Sequence, residues 1–375
     1  MSDIREERIG LGAAGDAESA SVRVLRFGTP GARPKAYLQA GLHAGELPGM
    51  LVLRELARRL AEAAARGALI GEVILVPMAN PIGLAQRRFG VLQGRFEEVS
   101  GENFNRGWPD VTEAVVWRID GSLVMDPASN VATIRSAISA EAAAIDAQRP
   151  VDRLRRGLFS LACDADLVLD LHADDEALVH LYTGPALWPR AEPLAAELDA
   201  RAVLLCEASG GGPFDEACSA PWWALAPRFP GLPIPPACFA ATVELRSNNE
   251  VEQRLVEDDA AALERFLRHE GVVAGEVRAA PRLLCEATQL TAMQQLRAPA
   301  EGVVIYRARL GDRVRRGEVV ASLVDPLGDS VDVCAETEGV LFARHDQRYA
   351  WPGKVIGKIA GSEVLPERTG NLLTD

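Results

Sequence analysis

The alternation of two kinds of segment between Ser21 and Phe266 constrains the fold of this chain most strongly. Short runs of β-branched and other apolar residues are followed by longer stretches rich in Ala, Leu, Glu and Arg. This alternation is typical of an α/β domain, in which helices cover the faces of a sheet. The segment LVLDL at 167–171 is apolar except for its aspartate, as in a strand covered on both faces.

The same pattern predicts the individual elements of this domain. The predicted strands are 21–27, 36–41, 72–78, 167–171, 178–183, 202–206 and 240–245. The predicted helices are 48–66, 129–148 with its continuation 151–162, 193–198 and 258–268. We expect the Pro- and Gly-rich segments 209–213 and 229–236 to be irregular. The stretch around Phe214 and Trp223 is also expected to be irregular, and its aromatic residues either wall a pocket or pack in the core or on the surface.

The residue pattern of the sequence changes after about Gly271. Residues 281–361 contain short strand-like runs separated by Gly-Asp, Gly-Glu and Pro-Gly turns, without a helical pattern. We therefore predict a large α/β domain at 1–270, a linker at 271–290 and a small all-β domain at 291–375.

Composition excludes several classes of protein. The chain has 40 Lys and Arg against 53 Asp and Glu, a formal charge of −13, whereas nucleic-acid binding requires clustered basic residues. No apolar run approaches the roughly 20 residues that cross a bilayer, and the charged start is unlike a secretory signal. We expect a cytoplasmic protein without nucleic-acid or membrane partners. The six cysteines are far apart, which predicts reduced thiols.

Two histidine-containing motifs follow predicted strands. His43 and Glu46 lie three residues apart in GLHAGE, and His172 comes after Asp170 at the end of LVLDL. Ligands of parallel sheets bind beyond the carboxyl ends of the strands, so these side chains can face one crevice. Two His and one Glu form the ligand set of several catalytic zinc enzymes. The alternatives are an ordinary turn histidine at 43 and a purely structural role for Asp170.

Two further polar segments have both a functional and a structural interpretation. Glu244 lies near the end of the predicted strand 240–245, where a carboxylate is either an ordinary strand-end charge or a general base that takes a proton from water. Asn105 and Arg106 lie in the loop after strand 72–78. An Asn-Arg pair can hold a carboxylate through two hydrogen bonds, although a surface arginine is the alternative.

Together these segments resemble the succinylglutamate desuccinylase/aspartoacylase family, a branch of the zinc carboxypeptidase-like hydrolases. The resemblance extends from about His43 to the C-terminal β domain. It rests on five motifs in this order: G-x-H-x-G-E, N-P-x-G, N-F-N-R, D-L-H and V-E-L-R. Each motif alone is common, whereas five in this order, each at the end of a predicted strand or in its loop, are specific.

The resemblance implies an α/β fold with a zinc carboxypeptidase-like mixed sheet flanked by helices. It implies that one Zn²⁺ per chain is held by His43, Glu46 and His172. It also implies that Glu244 is the catalytic base and that Asn105 and Arg106 grip a substrate carboxylate. The family's further arginine, which helps to polarise the scissile carbonyl, is assigned to Arg95, with Arg88 as the rival.

The C-terminal segment resembles a biotinyl- or lipoyl-type barrel sandwich, on the motifs APAEGVV at 298–304 and GDRV at 311–314. Carriers of this type present a lysine at a hairpin tip, and the corresponding stretch 325–335 has none. We therefore expect this domain to shield the active-site mouth or to form an oligomer interface.

The function predicted from these motifs is zinc-dependent hydrolysis of the amide bond between an acyl group and an amino acid or related small amine. The expected substrate is small and anionic. The alternatives are a metallocarboxypeptidase that acts on peptides and a non-catalytic binding protein on the same fold. The oligomeric state is left open, since an acidic surface is compatible with a soluble homo-oligomer.

Overall fold

The computed structural model describes residues 4–12 and 20–373 of the chain. Its α-helices are α1 (Pro48–Ala65), α2 (Pro81–Ala85), α3 (Thr112–Ile119), α4 (Pro127–Ala144), α5 (Pro150–Ala162), α6 (Trp188–Glu197), α7 (Phe214–Leu225) and α8 (Gln253–His269). Its strands in the first 290 residues are β1 (Arg5–Gly10), β2 (Ser21–Phe27), β3 (Lys35–Ala40), β4 (Glu72–Val76), β5 (Arg87–Arg88), β6 (Val91–Leu92), β7 (Leu167–Asp174), β8 (Glu176–Ala177), β9 (His180–Thr183), β10 (Ala202–Leu205), β11 (Phe239–Ser247) and β12 (Ala287–Gln289). The remaining strands are β13 (Met293–Arg297), β14 (Gly302–Tyr306), β15 (Arg313–Val314), β16 (Val319–Val324), β17 (Ser330–Cys334), β18 (Gly339–Arg344), β19 (Tyr349–Ala350) and β20 (Val355–Gly361).

A mixed sheet forms the centre of the larger part of the molecule. Within the described residues, nine strands pair in the order β1-β2-β4-β3-β7-β11-β9-β10-β12. The central strands β4, β3, β7 and β11 are parallel, whereas β9 runs antiparallel to β11. The predicted α/β class with a mixed sheet flanked by helices is confirmed.

Helices cover both faces of this sheet. Leu56 of α1, Leu194 of α6 and Leu263 of α8 belong to one buried cluster with the sheet. Leu158 of α5 and Trp222 of α7 belong to a second buried cluster. The central strands are therefore apolar on both faces, which is why LVLDL lacks the alternation of a half-exposed strand.

The structure corrects one prediction about secondary structure. The sequence predicts an irregular stretch after Pro213, whereas the structure has the twelve-residue helix α7 there, with Pro221 inside it. The buried side chains of this helix recur at helical spacing: Phe214, Cys218, Trp222 and Leu225. Burial of this apolar face stabilises the helix in spite of the hydrogen bond that a proline removes. Helix α3 was likewise absent from the prediction.

An all-β region follows the large sheet and contacts it close to His172. Strands β13, β20, β18 and β15 form one of its sheets, and β17, β16, β14 and β19 form the other. Strand β8, only a few residues after His172, pairs with β18 of this region. Glu176 of β8 also forms ion pairs with Arg344 and Arg348. These contacts fix the all-β region beside the end of β7.

None of the helices within residues 4–12 and 20–373 combines the length and apolarity needed to cross a membrane.

The start of α1 packs closely against the strands that carry the predicted site, which generates a stability prediction. A Cβ at Gly49 would lie 2.9 Å from the Cβ of Ala40 and 3.0 Å from the Cβ of Leu171. We expect Gly49→Ala to lower the free energy of unfolding by about 1–3 kcal/mol, because overpacking forces α1 away from the sheet. Urea unfolding measures this change. Gly10→Ala is the control, since a Cβ there meets nothing within 4 Å; equal stability of the two variants would contradict the prediction.

Candidate metal-dependent active site

The predicted site residues lie at the carboxyl ends of adjacent parallel strands. His43 and Glu46 follow β3, His172 lies in β7, and Glu244 lies in β11, where it is the register partner of His172. Gly41 begins the turn after β3 with a φ of 69°, a conformation that favours glycine. The sheet topology therefore brings together side chains that are distant in sequence.

The carboxylate of Glu46 lies between two buried imidazoles. Its Oε1 atom is 2.8 Å from Nδ1 of His43, and its Oε2 atom is 2.7 Å from Nδ1 of His172. His43, Glu46 and His172 are 4%, 7% and 3% exposed, respectively. One ligand atom from each of these residues lies within 4.8 Å of the others, so the group could hold a metal ion.

The Nε2 atom of each imidazole, which points away from Glu46, also has a polar neighbour. Nε2 of His43 lies 2.9 Å from Oδ1 of Asn103, and Nε2 of His172 lies 3.0 Å from Oδ2 of Asp170. Asp170 in turn accepts a hydrogen bond of 3.0 Å from the amide of Gln39. With the proton on Nε2, Nδ1 of His43 presents a lone pair to the space beside Glu46, as a metal ligand must. Nε2 of His172 lies near both an acceptor, Asp170, and a donor, the amide of Asn105. The donor set therefore fits a borderline cation such as Zn²⁺.

The electrostatics of the cluster favour a positive charge. Burial acts to raise the pKa of Glu46, but His43 and His172 hold that pKa well below its usual range. Burial acts to lower the pKa of His172, but Asp170 and Glu46 raise it well above its usual range. Burial, followed by the nearby Arg95, lowers the pKa of His43. A positive charge at the centre of this group, supplied by a proton or a metal ion, offsets the buried carboxylates.

Glu244 lies beside this cluster without a strong partner of its own. Its Oε2 atom has no hydrogen-bond partner in the part of the chain that the structure describes. Burial, followed by the charge of Glu46, raises the pKa of Glu244 to about 8. A raised carboxyl pKa beside a crevice is typical of a catalytic acid or base.

The two candidate arginines have different positions. Nη1 of Arg95 lies 3.2 Å from Nδ1 of His43 and 3.4 Å from Oε1 of Glu46. The preceding Gly94 accepts a hydrogen bond of 2.9 Å from the backbone N–H of Ala44, which holds this loop on the His43 turn. Arg88, in contrast, is exposed, and its guanidinium lies over the ring of Phe89.

Asn105 and Arg106 lie on another wall of the crevice. The side-chain oxygen of Asn105 accepts a hydrogen bond of 2.9 Å from the backbone N–H of Phe214, and its amide nitrogen is 3.3 Å from Nε2 of His172. The guanidinium of Arg106 donates to the backbone carbonyl of Asn105. A Cβ at Gly211 would lie only 2.5 Å from Cδ of Arg106, so glycine permits this approach.

One cavity of about 110 Å³ brings most of these groups together. Among the residues that line it are those predicted from the sequence, His43, Glu46, Arg95, Asn105, Arg106, His172 and Glu244. Other lining residues were not predicted as functional, among them Asp174, Tyr182, Asp215, Glu216, Ser219, Trp223 and Lys358. Some of these residues lie in the stretch around Phe214 and Trp223, for which a pocket wall was one of the two expected roles. Nothing in the local sequence indicates a role for Lys358, which lies in the all-β region.

The other three histidines lie outside the group formed by His43, Glu46 and His172. His180 is buried and packs against Tyr182 and Phe342, and His269 lies 3.4 Å from Glu197. A second group that could hold a metal, Asp175, His345 and Asp346, is more exposed than the His43 group.

Comparisons with known proteins support the family resemblance. Residues 32–123 match the model of the succinylglutamate desuccinylase/aspartoacylase catalytic domain. A succinylglutamate desuccinylase/aspartoacylase family protein from Shewanella amazonensis SB2B matches with 27% identity and a TM-score of 0.81, over 96% of this chain and 98% of that chain. No protein of curated function matches the chain. The resemblance indicated by the five motifs is confirmed.

More distant solved structures share the fold. A succinylglutamate desuccinylase/aspartoacylase from Shewanella frigidimarina NCIMB 400 has 23% identity to this chain and a TM-score of 0.82, over 96% of this chain and 98% of that chain. A succinylglutamate desuccinylase/aspartoacylase from Rhodobacter sphaeroides has 17% identity and a TM-score of 0.66, over 96% of each chain. The match covers both the large sheet and the all-β region.

The contact between His43 and Asn103 generates a prediction about metal affinity. Removal of the amide in Asn103→Ala leaves Nε2 of His43 without its acceptor, so the imidazole is less well oriented. We expect affinity for Zn²⁺ to fall by about 10- to 100-fold, measured by competition with a chromogenic chelator. Asn249→Ala, at an exposed position, is the control. Unchanged affinity in Asn103→Ala would contradict the prediction.

Proposed function

We propose that this chain, which resembles the succinylglutamate desuccinylase/aspartoacylase family in residues 32–123 and in its fold, is a Zn²⁺-dependent hydrolase. Its reaction is cleavage of the amide bond of a small N-acyl amino acid or related N-acyl amine. The observation that carries the proposal is the carboxylate of Glu46 between two buried imidazoles, with the unpartnered carboxylate of Glu244 in the same cavity.

Each metal-binding and catalytic role follows from the position of a side chain. His43, Glu46 and His172 would hold the ion. When bound, Zn²⁺ lowers the pKa of a coordinated water towards about 7 and polarises a carbonyl. Glu244 accepts the proton of the attacking water and returns it to the leaving nitrogen, a role for which a carboxyl pKa above its usual range is suited.

Arginine and amide side chains orient and stabilise the substrate. Arg95, beside His43 and Glu46, offers its guanidinium to the oxyanion that develops on the scissile carbonyl. Asn105 and Arg106 bind the carboxylate of the amino-acid half, because a planar guanidinium matches a carboxylate through paired hydrogen bonds. This arrangement places a local positive site inside an acidic protein.

The finer architecture belongs to the same proposal. The sheet has the arrangement of the zinc carboxypeptidase-like hydrolases, and the all-β region that of a barrel sandwich without a carrier lysine. The proposed domains are 1–270 and 291–375, joined by 271–290, although Ala287–Gln289 in the joining segment pairs with β10. Gln295 and Lys358 of the all-β region line the cavity, which favours small substrates over the peptides of a carboxypeptidase.

Metal dependence is tested first. We expect the zinc-loaded protein to hydrolyse at least one of a panel of N-acetyl, N-succinyl and N-formyl amino acids. Removal of the metal with a chelator should abolish turnover, and added Zn²⁺ should restore the activity of the wild-type protein. Added Zn²⁺ should not restore activity in His43→Ala, because this variant lacks one of the proposed ligands. Undiminished turnover in the metal-free protein or in His43→Ala would contradict the proposal.

The general base is tested separately. We expect Glu244→Gln to lower kcat by about 10²- to 10⁴-fold, because an amide cannot accept the proton from water. Zinc content should stay at the wild-type level, since Glu244 is not among the proposed ligands. Glu252→Gln, at the exposed start of α8, is the matched control. A kcat close to that of the wild type in Glu244→Gln would exclude this residue as the base.

A further inference from the structure

A segment that follows the all-β region returns to the catalytic cavity and has no role in the reaction described above. The backbone N–H of the buried Leu365 donates a hydrogen bond of 3.0 Å to the carbonyl of Thr291. Further along, the buried Leu372 packs in an apolar cluster with strand β10, and Leu373 lines the cavity. Residues 370–373, which we call the return segment, therefore form part of the cavity wall.

Backbone hydrogen bonds fix the return segment to the loop that precedes α7. The N–H groups of Leu372 and Leu373 both donate to the carbonyl of Ser209, at 2.8 and 3.2 Å. A Cβ at Gly210 would lie only 2.8 Å from Cα of Asn371, so glycine permits the close approach of the two backbones. Leu373 is therefore held in a defined position on the cavity wall.

The same loop contacts Arg106, the proposed partner of the substrate carboxylate. Gly211 lies against the side chain of Arg106, and its carbonyl accepts a hydrogen bond of 2.7 Å from the N–H of Gly107. Ser209 and Gly211 are two residues apart, a span of at most about 7 Å. Leu373 and Arg106 therefore flank one short loop, and a carboxylate bound at Arg106 brings the adjacent Cα of the amino acid within reach of Leu373.

The cavity is narrow and apolar beside this loop. Residues 210–212 are all glycine and add no side chain to the wall. Leu373 lines the cavity with the buried Leu290 and with Cys206, and the three belong to or pack against one apolar cluster. The cavity measures about 110 Å³, well below the roughly 300–1,000 Å³ of typical ligand pockets. The side chain of Leu373 therefore occupies space that a longer substrate side chain needs.

We propose that Leu373 is a specificity-determining residue that limits the length of the amino-acid side chain, so that the substrates are N-acyl derivatives of amino acids with short aliphatic side chains. This inference rests on the proposed function. Asn105 and Arg106 bind the carboxylate of the amino-acid half, and Leu373, with Leu290 and Cys206, closes the apolar end of the cavity beside it. The hydrolysed bond and the role of the metal are unchanged.

A series of substrates that differ only in side-chain length tests this inference. The zinc-loaded wild type is assayed with the N-acetyl derivatives of alanine, norvaline and norleucine. We expect kcat/KM to fall by at least about 10-fold from alanine to norleucine, because an apolar pocket that is too short discriminates against added methylenes by this much or more.

Variants then test whether Leu373 sets this limit. Leu373→Ala should raise the norleucine-to-alanine ratio of kcat/KM by at least about 10-fold, because the truncation opens space for the longer side chain. Leu373→Met has a similar volume and should keep the wild-type ratio. Leu327→Ala is the matched control, since Leu327 is 99% exposed in the all-β region. A merely structural effect changes kcat/KM for all substrates alike, and thermal unfolding and zinc content show whether each variant remains folded.

The outcomes separate this inference from the proposed function. Equal kcat/KM along the series in the wild type, or an unchanged ratio in Leu373→Ala, overturns the role of Leu373 and leaves the hydrolase intact. If none of the three substrates is hydrolysed, calorimetric titration of the zinc-loaded proteins with free alanine and norleucine tests the role of Leu373 alone. Tighter binding of norleucine by Leu373→Ala than by the wild type supports the inference, whereas equal affinity in the two proteins, or no binding to either, overturns it.

Discussion

The buried contact of Glu46 with His43 and His172 is the interaction on which the rest of the site depends. A carboxylate between two imidazoles, each almost fully removed from solvent, is stable only with a positive charge at its centre. Asp170 and Asn103 lie beside the outer nitrogens of the imidazoles, and Arg95 approaches from the loop side. Asn103 and Asp170 therefore lie where they can orient the two imidazoles as the proposed metal ligands, whereas Arg95 lies 3.2 Å from the inner nitrogen of His43.

The large sheet supplies the rigidity that this contact requires. The proposed ligands come from the ends of adjacent parallel strands, and close packing of α1 at Gly49 against β3 and β7 restricts movement between those strands. The all-β region completes the cavity from the opposite side. Lys358 of β20 forms an ion pair with Asp174 at the end of β7, and Glu176 pairs with Arg344. A site built from both parts depends on their correct docking as well as on the proposed catalytic residues.

Much of this arrangement could be predicted from sequence, and the exceptions have physical reasons. His43, Glu46, His172 and Glu244 each follow or end a strongly apolar strand, so the sheet topology alone brings them together. Helix α7 was missed because prolines dominated the local pattern, although Phe214, Cys218, Trp222 and Leu225 recur at helical spacing.

The wall contributed by Asp215 and Lys358 depends on tertiary packing. Asp215 resembles an ordinary acidic residue at the start of a helix, and only its burial in the cavity distinguishes it. Lys358 lies in a strand of the all-β region, and its place beside Asp174 results from the docking of that region against β7. Local sequence does not encode either position, and therefore substrate preference is harder to predict from sequence than the type of reaction.

The most direct test of the account is anomalous diffraction at the zinc edge from crystals of the zinc-loaded protein. The account predicts a peak between Nδ1 of His43, Nδ1 of His172 and the carboxylate of Glu46. A peak at the exposed group of Asp175, His345 and Asp346, without one at Glu46, would contradict it, as would the absence of any ordered zinc.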